Sequence, residues 1–200
     1  TKKQLNFLYK IKNVNLKSIN TNLVDLIWKK KPKILQKPFF SISKNNAGLS
    51  IKNKINKVKK FLLENKIDFL LVTAPENVAW MLNIRGHDVN LSPIPNARIL
   101  VNRKGRIILF SESKKIKNIK NIFNNKINFI NENKIQNILF KISKKKILLD
   151  ISTCSLYLKL SNFVWAEISV ILFFSKLFLT QNKNFVNATP SFKWVSTVFF

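Results

Sequence analysis

Arg85, His87 and Asp88 stand around Gly86 within four residues of one another, the densest group of chemically versatile side chains in the sequence. A guanidinium held beside a glycine, at the end of a helix and before a proline-containing loop, can be aimed at a carboxylate or a carbonyl. The same arginine can instead close an ion pair with Asp88 and pin the loop. This second reading is favoured, because charged pairs in loops are more often local than ligand-binding. His87, the single histidine, reads either as a polar contact to a bound ligand or as an exposed loop residue. It cannot anchor a metal centre, since the nearest acids, Asp88 and Glu76, leave the set too small. Arg85, His87 and Asp88 are therefore candidate ligand contacts, and no catalytic residue or metal ligand is assigned. Cys154, the single cysteine, lacks a neighbouring histidine or any activating signature and reads as a small buried or half-buried residue. The three glycines, Gly48, Gly86 and Gly105, cannot build a phosphate-binding or dinucleotide-binding loop.

The elements that must position these residues follow from periodicity. Ser50 is a good N-cap, and Ile51, Ile55, Val58, Phe61 and Leu62 then mark one face of a helix ending near Lys66. Asp68–Thr73 predicts a short buried strand. Pro75 suits the first turn of a helix carrying Val78, Ala79, Met81 and Leu82, in which Trp80 is expected to be core rather than a stacking platform. Asn96–Asn102 and Arg106–Ser111 predict a hairpin whose turn, Arg103-Lys104-Gly105, has a glycine for a positive φ. A helix over Ser113–Asn124, a strand over Ile127–Ile130, a helix over Lys134–Ile142 and a strand over Lys146–Asp150 complete the pattern. Upstream, Lys3–Lys12 has helical spacing, and Asn22–Trp28 is a compact apolar cluster. The basic stretch Lys29–Asn46, with Pro32 and Pro38, reads as a connector crossing a surface. Helices and strands alternating around one hairpin predict an α/β fold with a mixed β-sheet flanked by helices.

Composition sets the outer limits. The chain has 200 residues, 46% hydrophobic and 12% aromatic, within the globular range and enough for a buried core. The net charge of +27 raises the question of nucleic acid. However, only Arg85, Arg98, Arg103 and Arg106 are arginines, and the abundance of Lys, Asn, Ile and Phe matches A/T-rich codons. A chain selected to grip phosphates or bases would use the bidentate arginine fork more often, so specific nucleic-acid binding is not expected. No signal peptide opens the sequence, and the longest apolar run, Ile168–Phe174, is too short for a membrane helix. One cysteine fits a reduced, cytoplasmic setting. Both ends read as cut.

Pro75–Val101, PENVAWMLNIRGHDVNLSPIPNARILV, resembles a signature of the Xaa-Pro aminopeptidases, in which an Ala-Trp-x-Leu-Asn-x-Arg-Gly-x-Asp-Val run precedes a proline, an alanine and a strand. Two further blocks match in order: Asn22–Trp28, which in that family closes a first N-terminal domain, and Ala47–Ser50, which opens a second. Lys146–Asp150 fits a later strand more loosely. Many relatives have a histidine near the position of Leu91, and this departure weakens the transfer of substrate contacts.

The resemblance, covering about residues 4–160, implies a creatinase N-terminal-like domain. Residues 1–31 would be the C-terminal remnant of a first copy, 32–47 a linker, 48–162 a second copy, and 163–200 a divergent or out-of-frame tail. It further implies a non-catalytic fragment whose parent enzyme removes the residue before a proline at position two of a peptide. Two divalent metals, usually manganese, would sit in a catalytic domain outside this sequence. Arg85, His87 and Asp88 become substrate-cleft candidates, and the intact enzyme is expected to form a homodimer. Two alternatives stay open: a basic nucleic-acid-binding α/β module, and a stand-alone non-catalytic regulator of a peptidase.

Overall fold

The computed structural model describes residues 22–31, 37–123, 126–150, 152–155, 158 and 165–167. The expected helix at Lys3–Lys12, most of the tail after Asn162 and Pro32 lie outside these residues. The elements in chain order are α1 (Leu23–Ile27), β1 (Phe40–Ser41), α2 (Lys44–Ala47), α3 (Ile51–Glu64), β2 (Phe69–Val72), α4 (Pro75–Leu82) and β3 (Ile84–Arg85). They continue with β4 (Arg98–Asn102), β5 (Ile107–Phe110), α5 (Lys117–Lys120), β6 (Ile127–Ile130), α6 (Ile135–Lys141, entered through a 3-10 turn), β7 (Ile147–Leu149) and β8 (Trp165–Glu167).

Six strands form one sheet in the order β6-β5-β4-β2-β7-β8, while β1 and β3 make a separate small antiparallel pair. The sheet is mixed: β4 runs antiparallel to β2 and β5, whereas the β5–β6, β2–β7 and β7–β8 pairs are parallel. Its strands are almost continuously apolar because both faces are covered. Alternation then decides which layer each residue enters. Leu70, Val72, Ile99, Val101 and Leu148 face the core under α3 and α4, while Leu71, Leu100, Ile147 and Leu149 face a second core with Ile135 and Leu139 of α6. Each fully buried aliphatic side chain contributes roughly 1.5–3 kcal/mol relative to exposure. Cys154 joins the second core, buried.

Asp68, just before β2, ties three strand ends together. Its carboxylate accepts from the Arg103 guanidinium in the β4–β5 turn and from the Lys146 amide at 3.0 Å before β7, and its own amide donates to Lys146 O at 2.9 Å. The hairpin turn needs its glycine because Gly105 has φ +82°, and a Cβ there would also lie 2.7 Å from Lys59 Cδ and displace that side chain.

Two expectations change. The helix expected over Ser113–Asn124 is α-helical only at Lys117–Lys120, with turns on either side. Ile119 reaches the core from this short helix and Phe123 from the turn after it, and Asn118 and Asn121 give a longer helix little support. The stretch Lys29–Asn46 is not all surface, because Phe39 is fully buried and β1 and α2 follow it.

Candidate functional site

The Arg85–Asp88 segment is positioned by the way α4 ends. Pro75 occupies the first turn of α4, where its missing amide hydrogen costs nothing. Asn83 stops the helix in the left-handed region, φ 52° and ψ 38°, a conformation asparagine tolerates better than most residues. Its side chain is fixed from both ends: Oδ1 accepts from Lys54 Nζ at 2.5 Å, and Nδ2 donates to Leu49 O at 3.0 Å.

Lys54 comes from the apolar face of α3 and is 1% exposed. Its ammonium also donates to Trp80 O at 2.6 Å and sits 4.3 Å from the centre of the Trp80 ring. All three partners are electron-rich, and they lie at the negative end of α4. None is a carboxylate. Burial, followed by the charge of nearby Arg85, lowers the Lys54 pKa to about 8. Trp80 itself is half-buried and packs against the core.

Arg85 folds back on the same helix end. Its Nη1 donates to Ile84 O at 2.9 Å and to Ala79 O at 3.3 Å, so two cations gather at the carbonyl end of α4. Strand β3 holds the arginine in place by pairing with β1, with Phe40 opposite Arg85. Gly86 then allows a close backbone approach: a Cβ there would lie 2.7 Å from Pro95 Cα and 3.1 Å from Phe39 Cδ1.

The loop from Gly86 to Asn96 closes on itself. Gly86 N donates to Pro93 O at 3.2 Å, and Val89 bridges Ser92 around a turn whose third residue, Leu91, has φ 59°. Asp88 is the internal anchor. One carboxylate oxygen accepts from Asn96 N at 2.6 Å and the other from Lys115 Nζ at 2.6 Å, with both side chains of the ion pair at most 4% exposed. The outer surface of the loop is different in kind. His87 is exposed and tilts against Phe40, ring centres 5.3 Å apart, while Val89 is half-exposed and Leu91 is 100% exposed.

The three candidate residues thus share one loop but not one interaction. The expected Arg85–Asp88 ion pair is replaced by Asp88–Lys115, because β3 directs the guanidinium toward the end of α4 while the Asp88 carboxylate turns to the segment before α5. Sequence reading missed Lys54, Asn83 and Lys115 as determinants of this geometry. Lys54 left a signal, a lysine one turn after Ile51 on an otherwise apolar helical face. Lys115 left none, standing in a lysine-rich stretch.

The comparisons with known proteins agree on the region. Residues 30–182 match the creatinase/prolidase N-terminal domain, a span that includes β8. A probable Xaa-Pro aminopeptidase P of Coprinopsis cinerea is 32% identical over 96 residues, which is 48% of this chain and 15% of that protein. Xaa-Pro aminopeptidase app-1 of Caenorhabditis elegans is 29% identical over 99 residues, 50% of this chain and 16% of that protein. The chain therefore aligns with about one-sixth of the length of these relatives. Among solved structures, an X-prolyl aminopeptidase from Caenorhabditis elegans, described as a cytosolic enzyme with a di-nuclear active site, superposes with a TM-score of 0.67 at 21% identity, over 78% of this chain and 27% of that one.

Proposed function

The chain belongs to the creatinase/prolidase N-terminal domain family, and from that membership we propose that it is a non-catalytic N-terminal part of an Xaa-Pro aminopeptidase-type metallopeptidase. In this reading the enzyme removes the residue that precedes a proline, and the loop Gly86–Asn96 borders its substrate cleft. The same region contributes to contacts between subunits of a cytosolic homodimer. The division of roles within the loop carries the proposal. Arg85 and Asp88 direct their polar groups inward, onto α4 and Lys115, whereas His87 and Leu91 are left facing solvent. Arg85 and Asp88 are then positioning residues, and His87 is the one candidate free to touch a peptide.

Hydrolysis is assigned to a part of the enzyme outside these residues, where two divalent ions, manganese by family resemblance, would activate water. The side chains described here do not fit such a centre. Asp88 is committed to Lys115 and the Asn96 amide, His87 lies against Phe40, and no three metal-ligating side chains gather among the described residues. No helix among them is long and apolar enough to cross a membrane.

The test uses the intact enzyme carrying this region. His87→Ala and Leu91→Ser are expected to raise KM for an Xaa-Pro peptide about threefold to tenfold, with kcat and Tm nearly unchanged. If neither variant alters KM or kcat, the loop does not border the cleft. The present chain alone, supplied with manganese, is expected to release no N-terminal residue; turnover above a protein-free control would overturn the non-catalytic assignment.

A further inference from the structure

At the opposite end of β4 from the Gly86–Asn96 loop lies a groove of about 860 Å³, formed by α3, the β4–β5 turn, Ile122, Phe123 and the start of β6 with Lys126 before it. Five residues at about 3.4 Å each put the two ends of β4 roughly 17 Å apart. The groove floor is aliphatic, with Ile55, Ile107, Ile122 and Ile127, and Ile122 is more than half exposed. Its rim carries Lys52, Lys59, Lys104, Arg106 and Lys126, and no acidic residue lines it. Among the described residues none of these five cations is in an ion pair. A second depression shares Ile127 and Asn128 with it and adds Lys114, Lys117 and Lys120, extending the positive track without an acid.

We propose that this groove is a docking site for an acidic peptide segment whose carboxylates alternate with apolar side chains. The rim supplies a concentrated positive field that would steer such a segment and fix its register. The floor would gain from burying leucine- or isoleucine-sized groups. Five of the nine acids of the chain, Asp25, Glu64, Asp68, Asp88 and Glu132, are paired with other cations. Nucleic acid is the poorer fit. The floor offers no exposed aromatic face for a base, since Phe123 is 5% exposed, and four of the five rim cations are lysines rather than phosphate-matching arginines.

The test is an anisotropy titration of the full chain at about 0.15 M salt with a labelled peptide of alternating Glu and Leu. Three comparison probes accompany it: a peptide of equal charge with Ser in place of Leu, one with Lys in place of Glu, and an oligothymidylate of equal charge. The Glu–Leu peptide is expected to bind about tenfold or more tightly than any of the three. Lys52→Glu, Lys104→Glu and Lys126→Glu together change only exposed side chains and should weaken it about tenfold or more. The equal-charge control Lys44→Glu, Lys141→Glu and Lys144→Glu should weaken it less than about threefold. Ile122→Ser should also weaken binding, giving a readout independent of charge. Equal loss in both triple variants, equal binding of the Ser peptide, tighter binding of the oligonucleotide, or no binding of the Glu–Leu peptide would each overturn the proposal.

Discussion

At the scale of single residues, Lys54 does the most to shape the loop, and it does so without touching it. Its ammonium holds Trp80 O and Asn83 Oδ1, which fixes the left-handed residue that ends α4 and sets the direction of β3. Because burial and Arg85 lower its pKa to about 8 from 10.5, native Lys54 loses its proton before the unfolded chain does. Between those two values the unfolded state binds more protons, so stability should rise with pH across this window. Urea midpoints measured from about pH 8 to pH 10 should climb, and Lys54→Met should remove that climb by taking the ammonium away from Trp80 O and Asn83 Oδ1. A flat profile in the unaltered chain would show that the amine is not held in this environment. The motif around Ala79-Trp80 and Arg85-Gly86 was readable as a unit, but its roles were not. Nothing in the spacing of Arg85 and Asp88 reveals that one faces a helix end and the other a lysine beyond the β4–β5 hairpin.

At the scale of elements, the local signals were accurate wherever the determinants are local. Ser50 caps α3, accepting from Asn53 N at 3.2 Å; Pro75 opens α4; and Gly105 makes the hairpin turn. The small β1–β3 sheet was invisible, because two-residue strands carry no period and form only when the Gly86 backbone can pack on Phe39. Asp68 tests how firmly the larger sheet depends on one side chain. Burial raises its pKa, but the Lys146 amide and the Arg103 guanidinium outweigh that effect and hold it below the ordinary 3.8. Its contribution is therefore complete above about pH 4 and lost as pH falls through the lower native value. Asp68→Asn should cost roughly 1–2 kcal/mol at neutral pH, seen as a lower urea midpoint. It should also reduce the acid sensitivity of unfolding; an unchanged acid profile would mean that the three strand ends are held by backbone bonds alone.

At the scale of the whole molecule, the charge of +27 acts on stability whatever partner it serves. Like charges repel most in the compact state, and the Debye length falls from about 10 Å at 0.1 M salt to about 3 Å at 1 M. Raising sodium chloride should therefore lift Tm by a few degrees, equivalent to about 1–2 kcal/mol; a Tm that stays level or falls would show that the repulsion is already neutralised. The α/β class and mixed sheet were legible from the alternation of periods, while the strand order, with β2 between β4 and β7, needed the tertiary structure. One detail of the loop bears on anyone who would redesign this protein. Leu91 holds a left-handed backbone, at a cost of about 1–2 kcal/mol for a non-glycine residue, and its side chain gains no burial in return. A designer seeking a sturdier free-standing domain would replace it with glycine first, whereas one seeking to keep whatever the loop meets would leave it untouched.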